Sequence, residues 1–422
     1  MATDTNPRVA FICHPWDRVV PPVEGSSIPI WTYQVASRLA DRCDFAVYSM
    51  CRSRRPTRQD QERVQYRRFP TAGDLWRHRF VRRIPGVCGE RRPFFGSRWY
   101  YPGYIKKIAK DLQDERCDVV HVHQFSQFVP VIRSHLPDAR IVLHMHCEWL
   151  TQLDEALIAE RLSQTDLVIG CSDYITGKIR HRFPRWADRC ATVYNGVGTD
   201  YGPAADGLGS GRRADRKRLL FVGRVSPEKG VHVAIDAFAK VAEQIPDVEL
   251  EIVGPEASAP MDFIVGMNED RRIAALASFY AGSYGAQLRS RVPTELSDRV
   301  SFAGAVPHSE MVQRYRQADL LVNPSFSESF GMSLIEAMAC AVPVVATRVG
   351  GMPAIVERTQ GGLLVEPGDV DGLAEAIVRL LCDDDDRATM GRAASERVRD
   401  RFSWERVAAD LWHQYERLLV AR

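Results

Sequence analysis

Short apolar runs of strand length alternate with amphipathic helical stretches along this chain, break off once near its middle, and then resume. Val9–Cys13, Phe45–Ser49, Val119–Val122, Ile141–His146 and Leu167–Cys171 read as strands, with a helical pattern from about Trp31 to Ala40 among them. Such alternation implies a parallel sheet covered by helices. It stops near Val193-Tyr194-Asn195-Gly196-Val197, where a Gly-, Ala- and Ser-rich stretch from Gly202 to Arg213 reads as a linker. It starts again with Leu219–Val222, the helix Val231–Gln244 and Leu250–Val253. The pattern predicts an α/β chain with one Rossmann-like domain over residues 1–200, a linker over 201–216 and a second Rossmann-like domain over 217–402. The tail from Ser403 to Leu419, within 403–422, is amphipathic and helical. A total of 422 residues lets each domain bury its own core. Ligands of such sheets sit beyond the carboxyl ends of the strands, so a cleft faced by both sheets is the expected site.

Composition narrows the class. At 45% hydrophobic and 26% charged residues the chain reads as a soluble globular protein. Its apolar runs are too short for a membrane-spanning helix, and the polar start from Met1 to Arg8 does not fit a signal peptide. The ten cysteines are scattered singly, without a C-x-x-C pair, and several sit in apolar runs (Cys13, Cys147, Cys171). Reduced, mostly buried thiols in a cytoplasmic protein are the expectation.

The chemistry concentrates where Glu328 and Glu336 bracket Ser329-Phe330-Gly331-Met332-Ser333-Leu334-Ile335. The run Leu320-Leu321-Val322-Asn323 before it and Pro343-Val344-Val345-Ala346 after it make this strand, loop, helix, strand. A helix N-terminus between two carboxylates offers unpaired backbone N–H groups to an anion and two hydroxyl acceptors beside it. That combination suits a nucleoside diphosphate sugar. Arg224 and Lys229 lie in a second strand-to-helix loop bounded by Gly223 and Gly230, where fixed cations can stabilise a departing diphosphate.

The segment from Glu328 to Glu336 resembles the E-x7-E signature of retaining glycosyltransferases of family 4 (glycosyl transferases group 1), which have the GT-B fold. Phe221-Val222-Gly223-Arg224-Val225-Ser226-Pro227-Glu228-Lys229-Gly230 resembles the family's G-R-x4-K-G loop, and Val349-Gly350-Gly351-Met352-Pro353 its second Gly-rich loop. The resemblance implies two Rossmann-like domains facing a cleft, with the C-terminal helix packed back on the first. It places Gly25, Gly223, Arg224, Lys229, Val306, Glu328, Phe330, Gly331, Met332, Ser333, Glu336, Gly350 and Gly351 around the donor. Among these it gives Glu336 the ribose and Glu328 the hexose hydroxyls. His146, after the strand Ile141–Leu143, matches the position of a histidine facing the reacting sugar, and His146, Arg224, Lys229 and Glu328 are the expected catalytic group. Three departures are visible: Ser26 stands in place of a second glycine after Gly25, Ala354 in place of a Glu, and Ala341 in place of a Gly before Pro343.

The expected reaction is hexosyl transfer with retention, from UDP-glucose or UDP-N-acetylglucosamine ahead of GDP-mannose, onto an acceptor hydroxyl. No cofactor is expected, the nucleotide sugar being a substrate. Rival readings are a nucleotide-sugar 2-epimerase of the same architecture and a nucleotide-binding protein without turnover. A dinucleotide oxidoreductase would need G-x-G-x-x-G where His14-Pro15-Trp16 stands. His121 and His123, with His144 and His146, alternate on two strands and raise a zinc hypothesis, but lie in no known ligand spacing, so no metal is expected. The Arg-rich segment Arg52–Arg116 interleaves cations with Trp76, Phe94, Phe95 and Trp99. A solvated face, a pocket for an anionic acceptor and a peripheral membrane contact stay open for it; no nucleic-acid motif accompanies it.

Overall fold

The structure, a computed structural model, describes residues 6–23, 27–81, 89, 91–203, 216–258 and 260–420. Gly25, most of the predicted linker and residues 82–88 of the Arg-rich segment lie outside the described residues. The chain divides into two compact units, Met1–Asn195 with Trp404–Arg422, and Gly196–Ser403.

The first unit holds β1 (Arg8–Ile12), β2 (Asp44–Cys51), β3 (Thr57–Gln61), β4 (Val64–Pro70), β5 (Val119–His123), β6 (Arg140–Met145), β7 (Leu167–Gly170) and β8 (Cys190–Thr192). They form one eight-stranded sheet in the order β3-β4-β2-β1-β5-β6-β7-β8. All neighbours are parallel except β3, which pairs antiparallel with β4. The central strands are covered on both faces, which is why Val9–Ile12 and Val119–His123 are buried without alternation.

The β3–β4 hairpin arises inside the Arg-rich segment, turning at Glu62 and Arg63 with positive φ. Part of that segment is therefore structural. Arg67 on β4 is buried, and its guanidinium reaches Asp111 at 2.7 Å and Glu115 at 2.8 Å. The hydrogen bond from Arg67 holds the Glu115 carboxyl below its usual range. Beyond it, the helix Ala72–Val81 leaves Leu75, Trp76 and Arg77 exposed.

The C-terminal helix Trp404–Val420 belongs to the first unit and buries the stripe Trp404, Val407, Ala408, Leu411 and Tyr415. Arg38 of the helix Ser27–Leu39 meets Glu405 at 2.8 Å. Deeper in, the Tyr415 hydroxyl lies 2.7 Å from Nδ1 of His121 on β5.

The second unit holds β9 (Lys217–Val222), β10 (Val248–Val253), β11 (Val300–Gly304), β12 (Leu320–Asn323), β13 (Val344–Thr347) and β14 (Gly362–Val365). Their order is β11-β10-β9-β12-β13-β14, parallel throughout. Successive strands step one way from β9 to β11 and the other way from β12 to β14. The sheet therefore reverses between β9 and β12, and the loops leaving these two strands emerge side by side. Helices Val231–Gln244 and Val370–Cys382 bury Val231, Ile235, Phe238, Leu373, Ile377 and Leu380 against Leu219, Leu250 and Val322 of this sheet. The stretch Glu256–Arg291 forms the helices Met261–Ile264, Arg271–Ala274 and Tyr284–Arg291. Asp383 caps the helix Asp384–Phe402, its side chain accepting from Asp386 N–H.

Among the described residues no helix is long and apolar enough to cross a membrane. Their cysteines are free, and most are buried.

Tyr415 is wholly buried, so losing its hydroxyl strands a buried ring nitrogen on His121. Tyr415→Phe should cost about 1–3 kcal/mol, read as a lower urea midpoint. An unchanged midpoint would show that this hydrogen bond does not hold the C-terminal helix in place.

Candidate active site

Three strand-to-helix loops of the second unit meet at the reversal of its sheet. After β9, Gly223-Arg224-Val225-Ser226 leads through the short turn Pro227–Lys229 into the helix Val231–Gln244. After β12, Pro324 to Gly331 leads into the helix Met332–Ala339. After β13, Arg348 to Gly351 leads into the helix Met352–Thr359.

Their backbones interlock. Phe326 N–H and Ser327 N–H donate to the Glu228 carbonyl at 2.8 and 3.4 Å, and Gly351 N–H donates to the Glu328 carbonyl at 3.2 Å. Gly350 has φ +58°, and a Cβ there would lie 1.4 Å from the Glu328 carbonyl oxygen, so only glycine fits. Gly331, with φ +105°, turns the chain into the helix at Met332 and leaves that helix without a side-chain cap. Asn323 Oδ1 accepts from Ser325 Oγ at 2.6 Å, and the Thr347 hydroxyl donates to the Ser325 carbonyl at 2.5 Å. These bonds pin the second loop between β12 and β13.

Each motif cation is matched to a carboxylate. Lys229 Nζ lies 2.6 Å from Glu328 Oε2, and Arg224 Nη2 lies 2.8 Å from Glu228 Oε1. Burial alone would raise the Glu328 carboxyl. Lys229 beside it, with N–H groups of Phe330 and Ser329, holds it below the usual range instead. Glu228 is 2% exposed; Ser226 Oγ also donates to its Oε1, while its Oε2 is sealed without a partner. A lysine ammonium carries three donors and a guanidinium five, so both cations retain donors beyond these pairs.

Glu336 lies inside the helix Met332–Ala339, 8% exposed, with Oε2 accepting from the Tyr315 hydroxyl at 2.6 Å. Burial pushes its carboxyl up, opposite in direction to Glu328. The loops thus bring together Gly223, Arg224, Lys229, Glu328, Gly331, Met332, Ser333, Glu336, Gly350 and Gly351. Phe330 contributes backbone, its ring being buried 5.8 Å from that of Phe402. Val306 lies in the loop after the edge strand β11. Tyr315 and Glu228 are site partners that the motifs do not announce. Tyr315 belongs to the buried stripe Met311, Val312, Tyr315 and reads as core in sequence.

His146 belongs to the first unit, just past β6. Its Nε2 lies 2.9 Å from His123 Nδ1, and its backbone N–H donates to Gln124 Oε1 at 2.8 Å. His121 Nε2 and His144 Nδ1 are 3.1 Å apart. One nitrogen each from His121, His123 and His144 lies within 4.8 Å of the others, close enough for metal ligation by distance. In this structure their ring nitrogens bond to one another, to Tyr415 and to Thr32, while His144 Nε2 is sealed without a partner. Burial lowers all four imidazoles, His121 to about 3, so they are neutral at ordinary pH.

Comparison with known proteins follows the same division into halves. The family described as Glycosyltransferase Family 4 matches residues 29–201, and that described as Glycosyl transferases group 1 matches residues 209–397. Spore coat protein SA of Bacillus subtilis (strain 168) is 26% identical over 94% of this chain and 96% of its own length. D-inositol 3-phosphate glycosyltransferase of Corynebacterium glutamicum (strain R) is 33% identical over 56% of this chain and spans only 54% of that relative. Sucrose-phosphate synthase from Thermosynechococcus elongatus shares the fold with a TM-score of 0.74 at 23% identity, over 99% of this chain and 100% of that one. An Anabaena protein whose structure holds UDP-glucose does so with a TM-score of 0.65 at 20% identity, over 97% and 99%. The architecture is the GT-B fold of two Rossmann-like halves, and the chain belongs to the glycosyltransferases of group 1 and family 4.

Proposed function

We propose that this glycosyltransferase moves a hexose from a nucleoside diphosphate sugar to an acceptor hydroxyl with retention of configuration. The observation that carries this reading is the uncapped helix start at Met332, set beside the Lys229–Glu328 pair where three loops interlock. The diphosphate sits on the N–H groups of that helix start, with the remaining donors of Arg224 and Lys229 on its oxygens. Glu336 takes the ribose hydroxyls through the oxygen that Tyr315 leaves open. Glu328, kept ionised, accepts from hexose hydroxyls, Gly350 and Gly351 give the backbone close approach, and His146 serves the transferred sugar. Uridine as the base is supported by an Anabaena protein of the same fold solved both with UDP and with UDP-glucose.

The reaction runs on one face of the sugar. The bond from the anomeric carbon to the phosphate oxygen breaks as the acceptor oxygen attacks from the same side, and the departing phosphate takes the acceptor's proton. Negative charge grows on the leaving diphosphate, so donors fixed there stabilise the transition state more than the ground state. An anionic or membrane-presented acceptor for this cytoplasmic enzyme is supported by Leu75 and Trp76, 52% and 65% exposed, beside the exposed Arg77.

Glu336→Ala should weaken UDP binding about tenfold, measured by calorimetry. Arg224→Ala should lower kcat about 10²-fold while changing the donor KM much less. Wild-type constants in both variants would sink the site. Catalysis should also proceed without a divalent metal at the diphosphate, because helix N–H groups and two cations already face it. Turnover should survive excess chelator, as should the double variant Asp383→Asn with Asp385→Asn. Loss of activity in chelator, restored by magnesium or manganese, would overturn this reading of the diphosphate site.

A further inference from the structure

A file of polar side chains runs through the core of the first unit and ends at His146. Cys13 Sγ lies 3.7 Å from Thr32 Oγ1, Thr32 Oγ1 lies 3.3 Å from His123 Nε2, and His123 Nδ1 lies 2.9 Å from His146 Nε2. Cys13, Thr32 and His123 have no exposed surface, whereas His146 is only half-buried. Among the described residues, these side chains hydrogen-bond only to one another.

Acceptor strength gives the hydrogens of the file a favoured direction. Burial, reinforced by the Asp17 carboxylate, pushes the Cys13 thiol far above its ordinary range, so it stays S–H and donates to Thr32 Oγ1. The single hydroxyl hydrogen of Thr32 then goes to His123 Nε2, since an imidazole nitrogen is a much stronger acceptor than a thiol sulfur. A neutral His123 that accepts at Nε2 carries its hydrogen on Nδ1 and donates it to His146 Nε2. A neutral His146 that accepts at Nε2 must carry its own hydrogen on Nδ1, for which the described residues supply no acceptor.

The neighbouring file behaves differently. It runs from the Tyr415 hydroxyl to His121 and on to His144, and ends at the sealed Nε2 of His144. The rings of His144 and His146 lie 4.1 Å apart between centroids, but no hydrogen bond joins the two files. One file is closed within the core, and the other opens at His146.

We propose that Cys13, Thr32 and His123 are positioning residues that lock His146 in its Nδ1–H tautomer, so that it offers a hydrogen-bond donor to an oxygen of the transferred sugar. His146 then acts as a fixed donor rather than as a base toward the acceptor hydroxyl. The role at the sugar rests on the donor reading above; the tautomer does not.

The test is two-bond proton–nitrogen correlation on the full chain labelled at its histidine rings, with His146→Gln identifying the His146 signal. The wild type should show the hydrogen on Nδ1. Thr32→Val, which keeps shape but removes the hydroxyl, should shift His146 to a mixture or to Nε2–H, and Thr32→Ser should restore Nδ1–H. Turnover should follow, with kcat/KM falling up to about tenfold in Thr32→Val and recovering in Thr32→Ser. Nε2–H in the wild type would overturn the proposal, as would Nδ1–H persisting in both Thr32→Val and His123→Gln. Stoichiometric bound metal with metal-shifted histidine nitrogens would overturn it too, since the file would then be a ligand set. If the tautomer moves as described while Thr32→Val and His146→Gln keep wild-type turnover, the lock stands and the role at the sugar falls.

Discussion

Glu328 is the residue on which the second unit's site depends. Its carbonyl receives the N–H of Gly351, its main chain excludes any side chain at Gly350, and its carboxylate holds Lys229 at 2.6 Å. One residue thereby ties the loops after β9, β12 and β13. A largely buried ion pair of this kind adds little to stability, because desolvating both groups offsets most of their attraction. Its effect is positional. Lys229 cannot leave without stranding a buried carboxylate, and Glu328 cannot turn without losing both the ammonium and the N–H groups of Ser329 and Phe330.

That junction is possible only because of strand order. In a parallel sheet that grows outward in one direction, successive loops are carried apart by the crossover helices. Reversal between β9 and β12 sets two loops from distant parts of the chain beside each other, and β13 adds a third. The two acidic residues of the motif then diverge by environment. Glu328 faces a cation and is held ionised, whereas Glu336 faces a phenol in a buried setting that favours its proton. A carboxylate held ionised by a cation and one whose burial favours its proton thus stand eight positions apart in sequence.

The sequence conveys the strands because the sheet is parallel and covered on both faces, leaving near-continuous apolar runs such as Val119–Val122 and Leu219–Val222. It does not convey the β3–β4 hairpin, whose edge strand β3 is polar throughout and whose Arg67 pairs with Asp111, 44 positions away. The same limit applies at the site. Gly223, Arg224, Lys229, Glu328, Gly350 and Gly351 are legible through the motifs they form, and at Gly350 the loop geometry itself requires glycine. The pairings Lys229–Glu328, 99 positions apart, and Tyr315–Glu336, between two helices, depend on tertiary placement that no spacing encodes.

The histidines of the first unit follow from strand geometry as well. His121 and His123 are two apart on β5 and share a face, and register places His144 of β6 beside His123. Four imidazoles therefore crowd under Trp31, three of them away from solvent that could satisfy their ring nitrogens. A neutral imidazole has one hydrogen for two positions, so a chain of such rings has a direction once its first member is fixed. The helix Ser27–Leu39 fixes one chain through Thr32, and the C-terminal helix touches the other through Tyr415. Only the first reaches an accessible ring. A polar core in a parallel sheet is costly unless satisfied, and here its satisfaction also determines which atom of His146 carries a hydrogen outward.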